Sequence, residues 1–188
     1  MNFLREFLRY PTKTGAIVPS SRALAKLIID TANLSNKKCV VELGSGDGIF
    51  TEEIEKHINA NCEFFSLEIN DKFVDETKRR CPDVTVYHDS AKNIKKYLLQ
   101  YNREYCDCII SSLPWVAFDK NSQKDLLGVV CDSLEDGGIF LTFAYIHGVF
   151  LPSGINFRHL LKDFFKDVEK TEIIWVNMPP AFVYLCRK

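Results

Sequence analysis

The sequence has no apolar run approaching the roughly 18 residues of a membrane-spanning helix, and its start carries no secretory-signal pattern. It also lacks a charge excess. Twenty-four Lys and Arg against 25 Asp and Glu leave a formal net charge of -1, short of the basic surplus of a general nucleic-acid binder. Its seven cysteines, at 39, 62, 81, 106, 108, 131 and 186, form no complete ligand set: Cys106-Asp107-Cys108 has no second pair, so no metal is expected. Cys39, Cys106 and Cys108 stand in apolar strand-like runs, where cysteine serves as a small buried hydrophobe, and a cytoplasmic, reducing compartment is expected. Repeats, low-complexity tracts and linkers are missing too. One domain over residues 1–188 is expected, with 1–36 as an N-terminal helical extension and 37–188 as the core.

What is present is alternation. Strand-like segments at 38–43, 63–69, 84–89, 106–112 and 137–145 are separated by helix-like ones at 48–59, 72–80, 91–101, 124–134 and 157–168. "TEIIWVN" (171–177) and "AFVYLCR" (181–187) read as a closing antiparallel pair around Met178-Pro179-Pro180. Such alternation predicts an α/β fold, a mostly parallel sheet with helices on both faces.

The first strand runs into "VVELGSGDGIF" (40–50), with glycines at 44, 46 and 48. Open α/β sheets bind ligands at the carboxyl ends of their strands. A P-loop needs a lysine and a hydroxyl after its last glycine, yet Ile49 and Phe50 follow Gly48; the dinucleotide spacing G-x-G-x-x-G is also missing. Glu42 and Asp47 would repel a pyrophosphate and favour a ligand with a cationic end. Glu68, closing the second strand, suits the two hydroxyls of a ribose, and Asp89 with Ser90, beyond the third, suit an adenine edge. A cationic amino-acid end, a ribose and an adenine together describe S-adenosyl-L-methionine.

These motifs resemble those of class I S-adenosylmethionine-dependent methyltransferases. The resemblance implies a Rossmann-like seven-stranded, mostly parallel sheet with a C-terminal antiparallel hairpin. It implies that Gly44, Ser45 and Gly46 lie under the cofactor's methionine part and that Glu42 faces its ammonium. Glu68 would hold the ribose, Ile69 would pack on the adenine, and Asp89 and Ser90 would flank its amino edge.

The acceptor is read from "IISSLPWVAF" (109–118). Ser111-Ser112-Leu113-Pro114-Trp115 resembles the Asn-Leu-Pro-Tyr type of motif of methyltransferases acting on amino nitrogens, with Ser112 in place of asparagine. The turn would orient the amine for in-line attack. The opening "FLREFLRYPTKTGAIVPSSRALAKLI" is similar to bacterial phospholipid N-methyltransferases, as are Ser111–Pro114, where Trp115 replaces a small or aliphatic residue, and Phe143-Ala144-Tyr145. That likeness implies phosphatidylethanolamine as acceptor, Ser111 at the cofactor, Ser112, Leu113, Pro114 and Tyr145 at the reacting amine, and the rings of Trp115 and Tyr145 on a cationic headgroup. The base is open among Tyr145, His147, Asp119 and water.

Phe3, Leu4, Phe7 and Leu8 fall on one helical face. Residues 1–26 hold five basic residues and one acidic one, a local charge of about +4. Such a helix either packs on the domain or lies on an anionic membrane as a peripheral anchor, with Gly15–Ser21 closing over the cofactor. A small-molecule or protein amine, or an rRNA adenine N6 position, are the alternative acceptors; the absence of a basic surplus makes nucleic acid the weaker of these.

Overall fold

The computed structural model describes residues 22–188. The basic amphipathic opening and the Gly15–Ser21 segment lie outside the described residues. Strands β1 (Cys39–Leu43), β2 (Glu63–Glu68), β3 (Thr85–His88), β4 (Cys106–Ser111), β5 (Leu134–Tyr145), β6 (Asp167–Lys170) and β7 (Ala181–Arg187) form one sheet in the order β3-β2-β1-β4-β5-β7-β6. β1 to β5 are parallel to one another; β7 runs antiparallel to both β5 and β6.

Helices α1 (Arg22–Ala32), α2 (Ile49–His57), α3 (Asp71–Arg80), α4 (Ile94–Leu98), α5 (Lys120–Ser133) and α6 (Pro152–Phe164) cover the two faces. On one face Leu24 and Ile28 of α1 pack with Val40, Cys108, Ile110 and Val183. On the other, Leu127 and Leu161 of α5 and α6 meet Val41, Ile109 and Phe140. All residues of β1 and β4 are buried. That is why "CVVEL" and "CDCIIS" read as near-continuous apolar runs without alternation. Burial also raises the thiol pKa of Cys39 and Cys108, so both sit protonated among the hydrophobes.

At the amino end of the sheet, Asp107 accepts the amides of Lys38 (2.8 Å) and Cys39 (3.3 Å), tying β4 to β1. Asp119 accepts the amides of Asn121 and Ser122, both at 3.0 Å, and so starts α5 four residues before the expected 124.

The closing pair differs from expectation. The partner of β7 is Asp167–Lys170, inside what was read as the tail of a helix over 157–168. Phe165 is extended and ends α6. "TEIIWVN" alternates like a strand but mostly runs past the start of β7, where no strand is available. Beyond the bond from the Thr171 amide to the Val183 carbonyl, only the Ile174–Ala181 bridge continues the ladder.

Gly154, near the start of α6, packs on the turn that leaves β5. A Cβ at this position would lie 2.1 Å from the Gly148 carbonyl oxygen and 3.0 Å from its carbon. Gly154→Ala is therefore expected to cost about 2–3 kcal/mol by overpacking, a loss of roughly 4–12 °C in Tm by calorimetry.

Candidate active site

The strand order reverses between β1 and β4, whose neighbours β2 and β5 lie on opposite sides. That places the carboxyl ends of β1 and β4 at the crevice where open α/β sheets bind ligands. Leu43 and Ser111 are register partners there. The glycine turn after β1 and the Ser112-Leu113-Pro114 turn after β4 therefore stand side by side. The Gly44 amide bonds to the Leu67 carbonyl (2.8 Å) and the Ser112 amide to the Leu43 carbonyl (2.9 Å), extending the sheet's order into both turns.

Gly44, Gly46 and Gly48 all have positive φ. Gly48 has a packing reason: a Cβ there would meet the Thr77 backbone at 3.2 Å. Gly46 has none. Nothing lies within 4 Å of its would-be Cβ, so at φ +55° it leaves bare backbone facing open space. Helix α3 holds this loop. The Thr77 hydroxyl bridges Ser45 Oγ (2.9 Å) and the Gly46 carbonyl (3.0 Å), and Arg80 Nε donates to the Asp47 carbonyl (2.7 Å).

Glu42 is fully buried at this turn. Its Oε2 accepts from Thr51 Oγ1 at 2.6 Å, while Oε1 has no partner among the described residues. Desolvation, aided by the charges of Glu68 and Asp47 and opposed by the Thr51 and Ser66 hydroxyls, raises its pKa from 4.5 to about 7. Glu68 is buried as well. Its Oε2 accepts the Gly46 amide (3.1 Å) and its Oε1 the Asn70 amide (2.8 Å), and burial raises its pKa despite these bonds. The carboxylate, with about four acceptor positions, keeps capacity for a hydroxyl. Ile69, next along, is 47% exposed.

Other expected positions are spent on the protein itself. Asp89 has four partners: Oδ1 takes the Ser90 amide and Asn93 Nδ2, and Oδ2 takes Tyr97 OH and Lys96 Nζ. These bonds, the Tyr97 one first, hold its pKa well below the usual carboxylate range. Its acceptor positions are thus filled from its own loop and α4 rather than held open for an adenine amine. Ser90 Oγ caps the turn that follows, accepting the Lys92 amide. Ser111 Oγ accepts the Leu113 amide and Trp115 Nε1, which shapes the Leu-Pro-Trp turn. Asp119 is an N-cap with a lowered pKa, the opposite of what a base requires.

Trp115 needs the plainest correction. It is 3% exposed, stacks on Phe157 at 4.7 Å, and meets Phe118 and Phe140 edge-on. It anchors the α5–α6 face, whereas Tyr145 packs with the cluster on the opposite face. The two rings cannot flank one headgroup. Tyr145 closes β5, meets Phe143 edge-on and stacks on His147 at 5.8 Å. Ser112 Oγ, by contrast, is buried with no partner among the described residues.

Thr51, Thr77 and Gln123 escaped the sequence reading. Gln123, fully buried, donates to the carbonyls of Trp115 (2.7 Å) and Ser153 (3.1 Å) and clamps the turn after Pro114. Thr77 had a signal: it is three residues from Val74 on the buried side of a charged helix.

A protein-family model described as "Methyltransferase domain" matches residues 40–138, more than half of the chain. The chain belongs to this methyltransferase family. It is 28% identical to ornithine lipid N-methyltransferase of Singulisphaera acidiphila, over 98% of this chain and 94% of that one. Two solved structures share the fold. The rRNA methylase of Streptococcus thermophilus is 15% identical with a TM-score of 0.65, covering 91% of this chain and 99% of that one. Magnesium protoporphyrin IX methyltransferase of Synechocystis PCC 6803, solved with bound S-adenosylmethionine, is 11% identical with a TM-score of 0.66, covering 100% and 85%. The chain is an S-adenosylmethionine-dependent methyltransferase.

The residues present fit that cofactor. An unpaired carboxylate oxygen buried beside an open glycine cradle is costly unless a donor meets it, and an ammonium is such a donor. Glu42 would take the ammonium, Gly46 would permit close backbone approach, and Glu68 would take the ribose hydroxyls. Bound there, the cofactor supplies an electrophilic methyl group on a sulfonium.

Glu42 links stability and binding in opposite directions. Its folded pKa lies above the unfolded value, so the apo methyltransferase loses stability as pH rises from 4.5 through about 7. The loss is on the order of 3 kcal/mol. Glu42→Gln is expected to raise the apo Tm at pH 8 and to abolish binding of S-adenosylhomocysteine in calorimetry. In the parent protein that affinity should rise about tenfold per pH unit up to pH 7 and then level off. Gly46→Ala should cost only about 1–2 kcal/mol of stability, from its left-handed φ, yet lower the same affinity far more than that.

Proposed function

We propose that the enzyme methylates the amino nitrogen of a membrane-lipid headgroup, phosphatidylethanolamine being the first candidate and an ornithine-type lipid the second. The observation that carries this reading is the end-to-end match to ornithine lipid N-methyltransferase. It spans 98% of the chain and so includes positions on both sides of the family-wide core. The Ser112-Leu113-Pro114 turn supports it. Its buried, unpaired hydroxyl stands at the strand end next to the glycine cradle, suited to accept a hydrogen bond from an amine.

In this reading the acceptor binds as a neutral amine, its lone pair directed at the methyl carbon by Ser112 and the rigid Leu113-Pro114 backbone. The new N–C bond forms as the C–S bond breaks, the thioether leaves with the electron pair, and the nitrogen then releases a proton to water. Orientation supplies much of the rate. Gln123 and Ser153, whose hydroxyl donates to the Val116 carbonyl at 2.8 Å, keep the turn from moving. In the same reading the basic N-terminal sequence, residues 1–26, holds the enzyme on anionic lipid.

Transfer of radiolabelled methyl from S-adenosylmethionine to vesicles tests this. Label is expected in the organic phase with vesicles containing phosphatidylethanolamine or an ornithine lipid, and not with phosphatidylcholine and phosphatidylglycerol alone. Ser112→Ala should lower kcat about tenfold or more with the cofactor affinity retained, and deletion of residues 2–10 should lower turnover on vesicles. No lipid label from a protein that binds the cofactor would overturn the lipid acceptor.

A further inference from the structure

Six of the ten large apolar side chains exposed among the described residues belong to two loops: Phe150, Leu151, Ile173, Trp175, Val176 and Met178. Four of these are more exposed than any apolar core residue by a wide margin: Trp175 69%, Met178 71%, Phe150 75% and Val176 80%. One loop leaves β5 and the other enters β7. Because β5 is parallel to the core strands and β7 starts opposite its end, with Tyr145 paired to Ala181, both loops lie at the carboxyl rim of the sheet. That is the rim of the glycine cradle. The Ile146 amide bonds to the Pro180 carbonyl (3.0 Å) and joins them.

The second loop is built, not collapsed. Ile174 and Ala181 exchange backbone bonds across its neck, and the buried Asn177 amide donates to the Pro179 carbonyl (2.6 Å). These bonds tie the loop at its neck and inside it, while Trp175, Val176 and Met178 are exposed. Residues 173–186 contain no charged side chain, and 146–157 contain no Asp or Glu. The flanking charge is mixed, with exposed Glu172 directly before Ile173 and Lys170 two residues further back. Lys170 ends β6 at the same rim, with Nζ 5.2 Å from the Phe182 ring, and Arg158 is close enough to help lower the Lys170 pKa, after desolvation.

We infer that these two loops insert into the interfacial layer of a phospholipid bilayer and hold the cofactor cradle against it. The inference rests on the lipid-acceptor reading and adds a docking element separate from the basic N-terminal sequence. Soluble proteins seldom leave such a patch bare, and an exposed tryptophan among aliphatic side chains suits the headgroup boundary of a bilayer. A second copy of the chain is the poorer occupant. Two projecting loops offer little flat area against the roughly 1,600 Å² of a stable interface, whereas a bilayer admits separate projections.

The two tryptophans make the test direct, since Trp115 is buried and Trp175 exposed. The full chain is mixed with phosphatidylcholine–phosphatidylglycerol vesicles carrying brominated acyl chains. The expected result is a blue shift and quenching of the exposed tryptophan, absent in Trp175→Phe. The double variant Trp175→Ala, Val176→Asp should weaken vesicle partition about tenfold or more, with its Tm and its S-adenosylhomocysteine affinity unchanged. The inference is overturned if the protein stays free of vesicles. It is equally overturned if vesicle-bound protein keeps Trp175 unquenched, or if sedimentation shows a lipid-free oligomer that already shields Trp175. Quenching without lipid methylation would leave the docking surface standing and remove the lipid acceptor; methylation of micellar lipid without quenching would do the reverse.

Discussion

One carboxylate sets the terms for this fold. Glu42 stands at the end of a strand whose every residue is buried, with one hydroxyl as its bonded partner and one oxygen unmet. Ionising it there is unfavourable, and the protein holds it at the edge of charge near neutral pH. Much of the surrounding structure serves this arrangement. Thr51 is brought to it by the start of α2, and α2 can start there because the glycine turn reverses the chain within five residues. Thr77 and Arg80 of α3 then fix the turn from outside. A ligand with a cationic end completes what the chain leaves open.

The second turn is held by different means. Ser111 spends its hydroxyl on the Leu113 amide and the Trp115 indole, and Gln123 pins the Trp115 carbonyl. Trp115 is consequently part of the scaffold, and Ser112, one residue away, is the group left unsatisfied. The contrast between neighbouring serines comes from the strand. Ser111 is the last residue in register with β1 and β5, while Ser112 lies just beyond the ladder.

The sheet and its ligand rim were legible because the signals were local. Buried parallel strands read as apolar runs, and alternate glycines after Glu42 read as a turn onto a ligand. The acids that fill strand ends were legible as positions but not as roles. Asp89 looks like Glu68 in sequence, and only the fold shows that Tyr97 and Lys96 reach back to saturate one while the other keeps capacity. Trp115 misled for the same reason, since its stacking partner Phe157 lies 42 residues away in the chain. The strand pattern of "TEIIWVN" failed because alternation reports a propensity, and a strand also requires a neighbour with free backbone groups.

Asp107 gives the sheet two unlike ends. At the amino end its carboxylate closes the amides of Lys38 and Cys39, and Arg103 pairs with Glu63 beside them. At the carboxyl end polar atoms wait and apolar side chains face outward. Amide exchange near Lys38 and Cys39 should follow global unfolding. The molecule is anchored at one pole and works at the other.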